Sequence, residues 1–213
     1  MPRRLSFRLI SSLAIAAFVA AGYVQAVPPV SPGEKAQVSV FGAKAEGSKF
    51  VYVLDRSGST GGKLIAAAKA EILASIEKID DVHQFQLVVY NEQPKAFNPA
   101  GSGGLAFGTD ANRAEVKKFL AGVAADGGTD HEAALSMAIR MRPDVIFLMT
   151  DGDKPKLTPR QLERIDRLGP GIVIHTIQFG EGPQTADGNG FMMKLAKQSG
   201  GAYTYVDTAK LEK

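Results

Sequence analysis

From Lys49 onward the chain alternates short apolar runs with longer amphipathic stretches, and this alternation limits the fold more than any other feature. The apolar runs are Phe50 to Leu54, Gln84 to Tyr90, Asp144 to Met149, Gly171 to Phe179 and Ala202 to Val206. Between them lie stretches with helical periodicity. In Gly61 to Ile79, for example, Leu64, Ile65, Ala68, Ile72, Ile76 and Ile79 share one face. Further helices are expected from Thr109 or Asp110 to Gly122, from Asp130 to Met141, from Thr158-Pro159 to Gly169, and from Gly190 to Ser199. Apolar strands alternating with such helices predict an α/β, Rossmann-like fold: a mainly parallel central sheet flanked by helices on both faces. In sheets of this kind ligands bind beyond the carboxyl ends of the strands, where strand order reverses.

The first run ends abruptly at Asp55, and Ser57, Ser59 and Thr60 follow within five residues. A carboxylate and hydroxyls at the rim of a sheet are hard oxygen donors, suited to Mg²⁺, Mn²⁺ or Ca²⁺ rather than to Zn²⁺ or copper. Two other segments offer matching groups. Thr129 closes the glycine-containing loop Asp126-Gly127-Gly128-Thr129, whose glycines let backbone approach closely. Asp151 stands where the run DVIFLM leaves the sheet, as Asp55 does for the first run. Taken singly, each has a plainer explanation. Ser57 and Ser59 could cap the following helix, Thr129 or Asp130 could cap another, and Asp151 could be a turn residue.

As a set, Asp55, Ser57, Ser59, Thr129 and Asp151 resemble the von Willebrand factor type A domain. That family's pattern is Asp-x-Ser-x-Ser after the first strand, a distant Thr, and an Asp after the fourth core strand. The flanking text FVYVLDRSGST, GGTD and VIFLMTDGD is similar too. The resemblance covers residues 49–207. It implies a metal-ion-dependent adhesion site. Ser57, Ser59 and Thr129 would offer hydroxyls to Mg²⁺ or Mn²⁺, with Ca²⁺ less favoured, and Asp55 and Asp151 would bind directly or through water. It also implies a protein partner that presents an acidic side chain to the cation. Asp130 and Asp153 match no ligand position and read as supporting or solvated turn acids.

Other chemistries fail on the residues. Gly58 to Lys63 lacks the Gly and the Ser/Thr that a phosphate-binding loop needs at its two ends. A phosphatase of the haloacid dehalogenase type needs a second Asp where Ser57 stands. His131-Glu132 has no second His at zinc-binding spacing, and Asp187 to Gly190 lacks the acidic closure of a calcium loop. No serine lies in a Gly-x-Ser-x-Gly elbow. Without cysteine, thiolate metal sites, disulfides and cysteine nucleophiles are excluded. Of the three histidines, His83 reads as a surface residue, His175 as core or rim, and His131, which opens the helix after Thr129, more as a structural residue than as one that faces the cation. The expectation is a binding protein rather than an enzyme. The alternative is a scaffold or accessory subunit of a larger complex with a vestigial site.

Residues 1–26 carry Arg3, Arg4 and Arg8 ahead of an apolar segment and Val24-Gln25-Ala26. This reads as a signal peptide, with an uncleaved membrane anchor as the alternative. A helix over residues 9–24 would span about 24 Å at ~1.5 Å per residue, short of the ~30 Å hydrocarbon core. Either version exports the domain to the periplasm, to the medium or to the outer face of the inner membrane. Setting those three arginines aside leaves basic and acidic residues equal in number, so the net charge of +3 gives no support for nucleic-acid binding. Residues 27–48 read as a linker in which Gln37 to Phe41 can form a short edge strand. Residues 208–213 read as a tail.

Overall fold

The computed structural model describes residues 33–99, 101, 103–152, 155–184 and 190–211. The expected leader, residues 1–26, lies outside them. Among the described residues no helix is long and apolar enough to cross a membrane.

The central sheet is built from β3 (Lys49–Asp55), β4 (Gln84–Tyr90), β5 (Pro94–Ala96), β6 (Ala106–Phe107), β7 (Val145–Thr150), β8 (Val173–Gly180) and β9 (Tyr203–Asp207). An N-terminal pair, β1 (Ala36–Val40) and β2 (Ala43–Gly47), stands apart from it. The main order is β5-β4-β3-β7-β8-β9, with the two-residue β6 also pairing with β4. All neighbours from β4 to β9 along this path are parallel, and only β5 and β6 run antiparallel. The chain steps from β3 to β4 on one side and later returns to lay β7 on the other side of β3. Strand order therefore reverses beside β3, and the crevice beyond Asp55 is the expected binding position.

The inner strands β3, β4, β7 and most of β8 are buried on both faces, which is why they are nearly continuous apolar runs. Phe50, Tyr52 and Leu54 pack with Ile72 and Ile76 of α1 (Lys63–Ile76) and with Val116 and Leu120 of α2 (Asp110–Ala121). Val51 and Val53 face the other way. They pack with Leu135 and Ala138 of α3 (His131–Arg140), Leu162 and Ile165 of α4 (Pro159–Leu168), and Leu195 of α5 (Phe191–Gln198). The starts of α2 and α4 follow capping chemistry. The Thr109 side chain accepts the Asn112 N–H, and Thr158 forms a capping box with Gln161, with Pro159 at the first helical position.

Two segments differ from the sequence expectation. Residues 36–47, read as linker with one short strand, form an antiparallel hairpin in which Ala36 pairs with Gly47 and Val40 with Ala43. Ala36, Val38, Val40 and Ala43 are buried in the core shared with α1. At the hairpin tip the Phe41 ring meets Phe179 edge-on, with centroids 5.3 Å apart, and the Phe41 N–H donates to Glu71 at 2.7 Å. The hairpin thus covers sheet surface that α1 and α2 leave open. The second difference is at the start of α1, which begins at Lys63. Residues Gly58–Thr60 first make a separate 3-10 turn, because the Thr60 hydroxyl bonds back to the carbonyls of Ser57 (2.8 Å) and Asp55 (3.2 Å).

Candidate functional site

Side chains alternate across a strand, and this places three polar residues on one face. Asp55, Tyr90 and Thr150 have the parity of Val53, Val88 and Leu148, whose side chains pack on the α3 side. Parallel register puts Asp55 beside Tyr90, and Thr150 comes next after the Leu54–Met149 pair. The result is a buried polar row at the carboxyl ends of β4, β3 and β7.

Asp55 is the centre of the row. Its side chain is buried. One carboxylate oxygen, Oδ1, accepts the Ser57 N–H at 2.8 Å, and the other, Oδ2, accepts the Thr150 hydroxyl at 2.5 Å. Burial pushes the carboxyl above its ordinary pKa range. The bonds from Thr150 and Ser57 and the nearby His131 oppose that shift without cancelling it. Tyr90, fully buried, is pushed well above the ordinary phenol value by burial and then by the adjacent Asp55 charge. Its hydroxyl meets His131 Nδ1 at 2.8 Å, and the His131 ring lies 5.0 Å from Phe191.

The sequence-predicted residues surround this row. Ser57 is buried and Ser59 exposed, with their hydroxyl oxygens 3.3 Å apart. Asp151 follows Thr150, whose hydroxyl lies 3.5 Å from Asp151 Oδ1, and its carbonyl accepts the Gln178 carboxamide at 3.3 Å. Thr129 is half-buried in a loop drawn in from both sides. The Gly127 carbonyl accepts the Gly58 N–H at 3.0 Å, Asp126 N–H donates to the Arg56 carbonyl at 2.7 Å, and Asp130 N–H donates to the Asn91 carbonyl at 2.8 Å. The loops carrying Ser57, Thr129 and Asp151 thus converge on the end of β3. Asp130, read from sequence as a supporting or solvated acid, caps α3 by accepting the Ala133 N–H at 2.9 Å. Asp153 lies outside the described residues.

Several residues were not found by sequence reasoning. Thr150 holds the carboxylate in place, and its signal was its position as the polar end of an otherwise apolar strand. Glu92 accepts the Gly128 N–H, which holds its carboxyl below the usual range and pins the Thr129 loop. Nothing in the local sequence marks that long-range bond. His83 and His175 lie elsewhere. His83 is buried, contrary to its surface reading, and its Nε2 meets the Glu34 carbonyl at 2.7 Å.

The donors suit a hard divalent cation. Hydroxyls and two carboxylates, with no thiolate, match Mg²⁺ or Mn²⁺ chemistry. Among the described residues no three His, Asp or Glu side chains converge on one point. Any cation here would therefore depend on the hydroxyls and keep part of its shell for other ligands.

The segment that contains Asp55 and Thr129 and runs just beyond Asp151, residues 50–154, matches the family model for the von Willebrand factor type A domain. The chain has the fold of a von Willebrand factor type A domain. Human inter-alpha-trypsin inhibitor heavy chain H4 is 26% identical over 168 residues, covering 71% of this chain and 17% of that protein. The bovine counterpart is 26% identical over 116 residues, covering 48% and 12%. This chain thus spans less than a fifth of the length of the curated relatives it matches. Among solved structures, a von Willebrand factor type A protein from Catenulispora acidiphila superposes with a TM-score of 0.67 at 24% identity, over 79% of this chain and 41% of that one. Manganese-loaded TRAP protein from Plasmodium vivax superposes with a TM-score of 0.54 at 19% identity, over 77% and 70%. At these identities the structures speak to the fold alone. Von Willebrand factor type A domains generally mediate protein–protein interactions and are mostly not enzymes.

Proposed function

We propose that this von Willebrand factor type A domain binds a partner protein through a divalent cation, Mg²⁺ or Mn²⁺, held by Asp55, Ser57, Ser59, Thr129 and Asp151. The partner contributes an acidic side chain to the cation. The observation that carries the reading is Asp55, a buried carboxylate oriented by Ser57 and Thr150 at the point where strand order reverses. A buried, desolvated carboxylate is costly unless it meets a cation or strong donors. Hydroxyl ligands leave a divalent ion's charge largely uncompensated, so the ion's chemical contribution is attraction for an outside carboxylate. Within the chain, Ser57 and Ser59 would present paired hydroxyls, Asp55 would supply charge from below, and the loop of Thr129 would close the rim. The manganese-loaded Plasmodium vivax relative in fold lends support to the choice of ion.

The reading includes export. The arginine-led apolar leader of residues 1–26 would carry the domain out of the cytoplasm, cleaved or retained as an anchor.

Calorimetry of the metal-free protein with Mn²⁺ and Mg²⁺ tests the site. Saturable binding that disappears in Asp55→Ala is expected. Equal affinity in wild type and Asp55→Ala, or no binding in either, overturns the cation reading. Capture of partners from extracellular or membrane fractions should be lost in EDTA and restored by Mg²⁺.

A further inference from the structure

A groove of about 980 Å³ runs along α3 beside the candidate cation site. Its upper end is lined by Asp130, the residue after Thr129, and its foot by Arg140 and Met141. The opposite wall is Pro94 of the edge strand β5 together with Gly103 to Leu105. That wall is held in place by the Gln86 carboxamide, which donates to the Gly104 carbonyl at 2.5 Å.

The charges along the groove are unevenly satisfied. Asp130 is occupied with the Ala133 N–H. Glu132 pairs with Arg164 at 2.6 Å and also accepts from Gln161 at 2.9 Å. Arg140, at the foot, is exposed and makes no ion pair among the described residues. Leu105 and Met137 between the ends, and Met141 at the foot, are partly buried against the core and line the groove. Methionine side chains adapt to varied apolar shapes. The groove therefore offers adaptable apolar surface leading from the cation site to a positive charge with no ion-pair partner among the described residues.

We propose that this groove receives the same partner segment that reaches the cation, as an extended acidic stretch. One carboxylate sits at the site rim, apolar side chains lie over Met137 and Leu105, and a second carboxylate meets Arg140. The proposal rests on the metal-bridged reading above. The ten-residue helix sets the spacing. At ~1.5 Å per residue it covers about 15 Å, which an extended chain spans in about five residues at ~3.3 Å each. The recognised pattern is thus two acids about five residues apart with apolar residues between them.

The probe is a labelled hexapeptide with aspartate at both ends and leucine between, compared with one whose far aspartate is alanine. Binding is measured by fluorescence anisotropy on the full chain with Mn²⁺ and with EDTA. Loss of a charge-assisted contact to Arg140 should weaken binding about tenfold, both for the single-acid peptide and for Arg140→Glu. Arg140→Glu should still bind Mn²⁺ as wild type does and should melt at the same temperature. Equal affinity of the two peptides, equal affinity of wild type and Arg140→Glu, or no peptide binding by Mn²⁺-loaded protein overturns the groove proposal. Peptide binding that depends on Arg140 but persists in EDTA keeps the groove and overturns the cation reading.

Discussion

Thr150 donates its hydroxyl to Asp55 Oδ2 at 2.5 Å, joining residues 95 apart in sequence at the seam between β3 and β7. The same hydroxyl accepts the Gly152 N–H at 3.0 Å and so shapes the turn that carries Asp151. One side chain thereby positions both carboxylates of the candidate site. Thr150→Val keeps the shape and removes the bond. Because a buried carboxylate oxygen is left without its donor, we predict a loss of about 1–3 kcal/mol in denaturant unfolding. Mn²⁺ affinity should fall with it. Thr150→Ser should recover most of both, whereas a serine variant as weak as the valine variant would assign the effect to packing.

Asp55 is held ready at a cost to the fold. Its raised pKa means that keeping it ionised at neutral pH opposes folding when no cation is present. Asn at this position can still accept from Ser57 and can donate to the Thr150 oxygen. Asp55→Asn should therefore melt at or above the wild-type temperature without cation. With Mn²⁺ at ~100 times its dissociation constant, wild type should gain about 2.7 kcal/mol by linkage and Asp55→Asn nothing. A thermal-shift series with Mn²⁺ and EDTA reads both effects. An equal gain in the two proteins would remove Asp55 from the site.

The approach of Gly127 to Glu92 is a second point of control. Gly127 has φ +76°, and a Cβ there would lie 2.5 Å from Glu92 Oε2. An L side chain is strained in that backbone region whatever space Glu92 can yield. Gly127→Ala should cost about 1 kcal/mol in stability. The larger effect should fall on Mn²⁺ affinity, because the loop carries Thr129. Calorimetry that finds wild-type affinity in a folded Gly127→Ala protein would detach this loop from cation binding.

Local chemistry made most of the fold legible. Apolar runs longer than three residues became β3, β4, β7 and β8, and Thr109 and Thr158 announced their helices through capping. The hairpin at residues 36–47 was obscured because its alternation is short and follows a proline-rich stretch, so its burial depends on sheet surface contributed much later in the chain. The two-residue β6 exists only through pairing with Gln84 and Phe85. At the site, the five candidate residues are named through the resemblance to the von Willebrand factor type A pattern. The bond from Thr150 to Asp55 and the pinning of Gly128 by Glu92 depend on register and loop docking, which one stretch of sequence does not contain.

That hairpin gives a stability prediction. Val40 is fully buried in the α1-side core. Val40→Ala should cost about 1–3 kcal/mol for the lost burial and the space left behind. A linker residue would be neutral. Urea unfolding of Val40→Ala decides between the two, and a midpoint equal to wild type would mean that the hairpin does not belong to the cooperative unit.

His175 supplies the pH dependence. It is buried within β8, where its ring lies 5.2 Å from Phe147 and its Nδ1 accepts the Ala202 N–H at 3.1 Å. Burial lowers its pKa below the ordinary imidazole value. The folded protein therefore holds His175 neutral where the unfolded chain already binds a proton. Stability from this group is full above the ordinary value of ~6.5 and falls as pH drops below it toward the depressed folded value. Protonation would also place a hydrogen on Nδ1 and displace the Ala202 N–H, loosening the entry to β9. His175→Gln should lower stability at pH 8 and flatten the decline between about pH 6.5 and 5, because its amide does not titrate. Urea midpoints measured across that range check the sign: a variant that declines as steeply as wild type would place the acid sensitivity on another group.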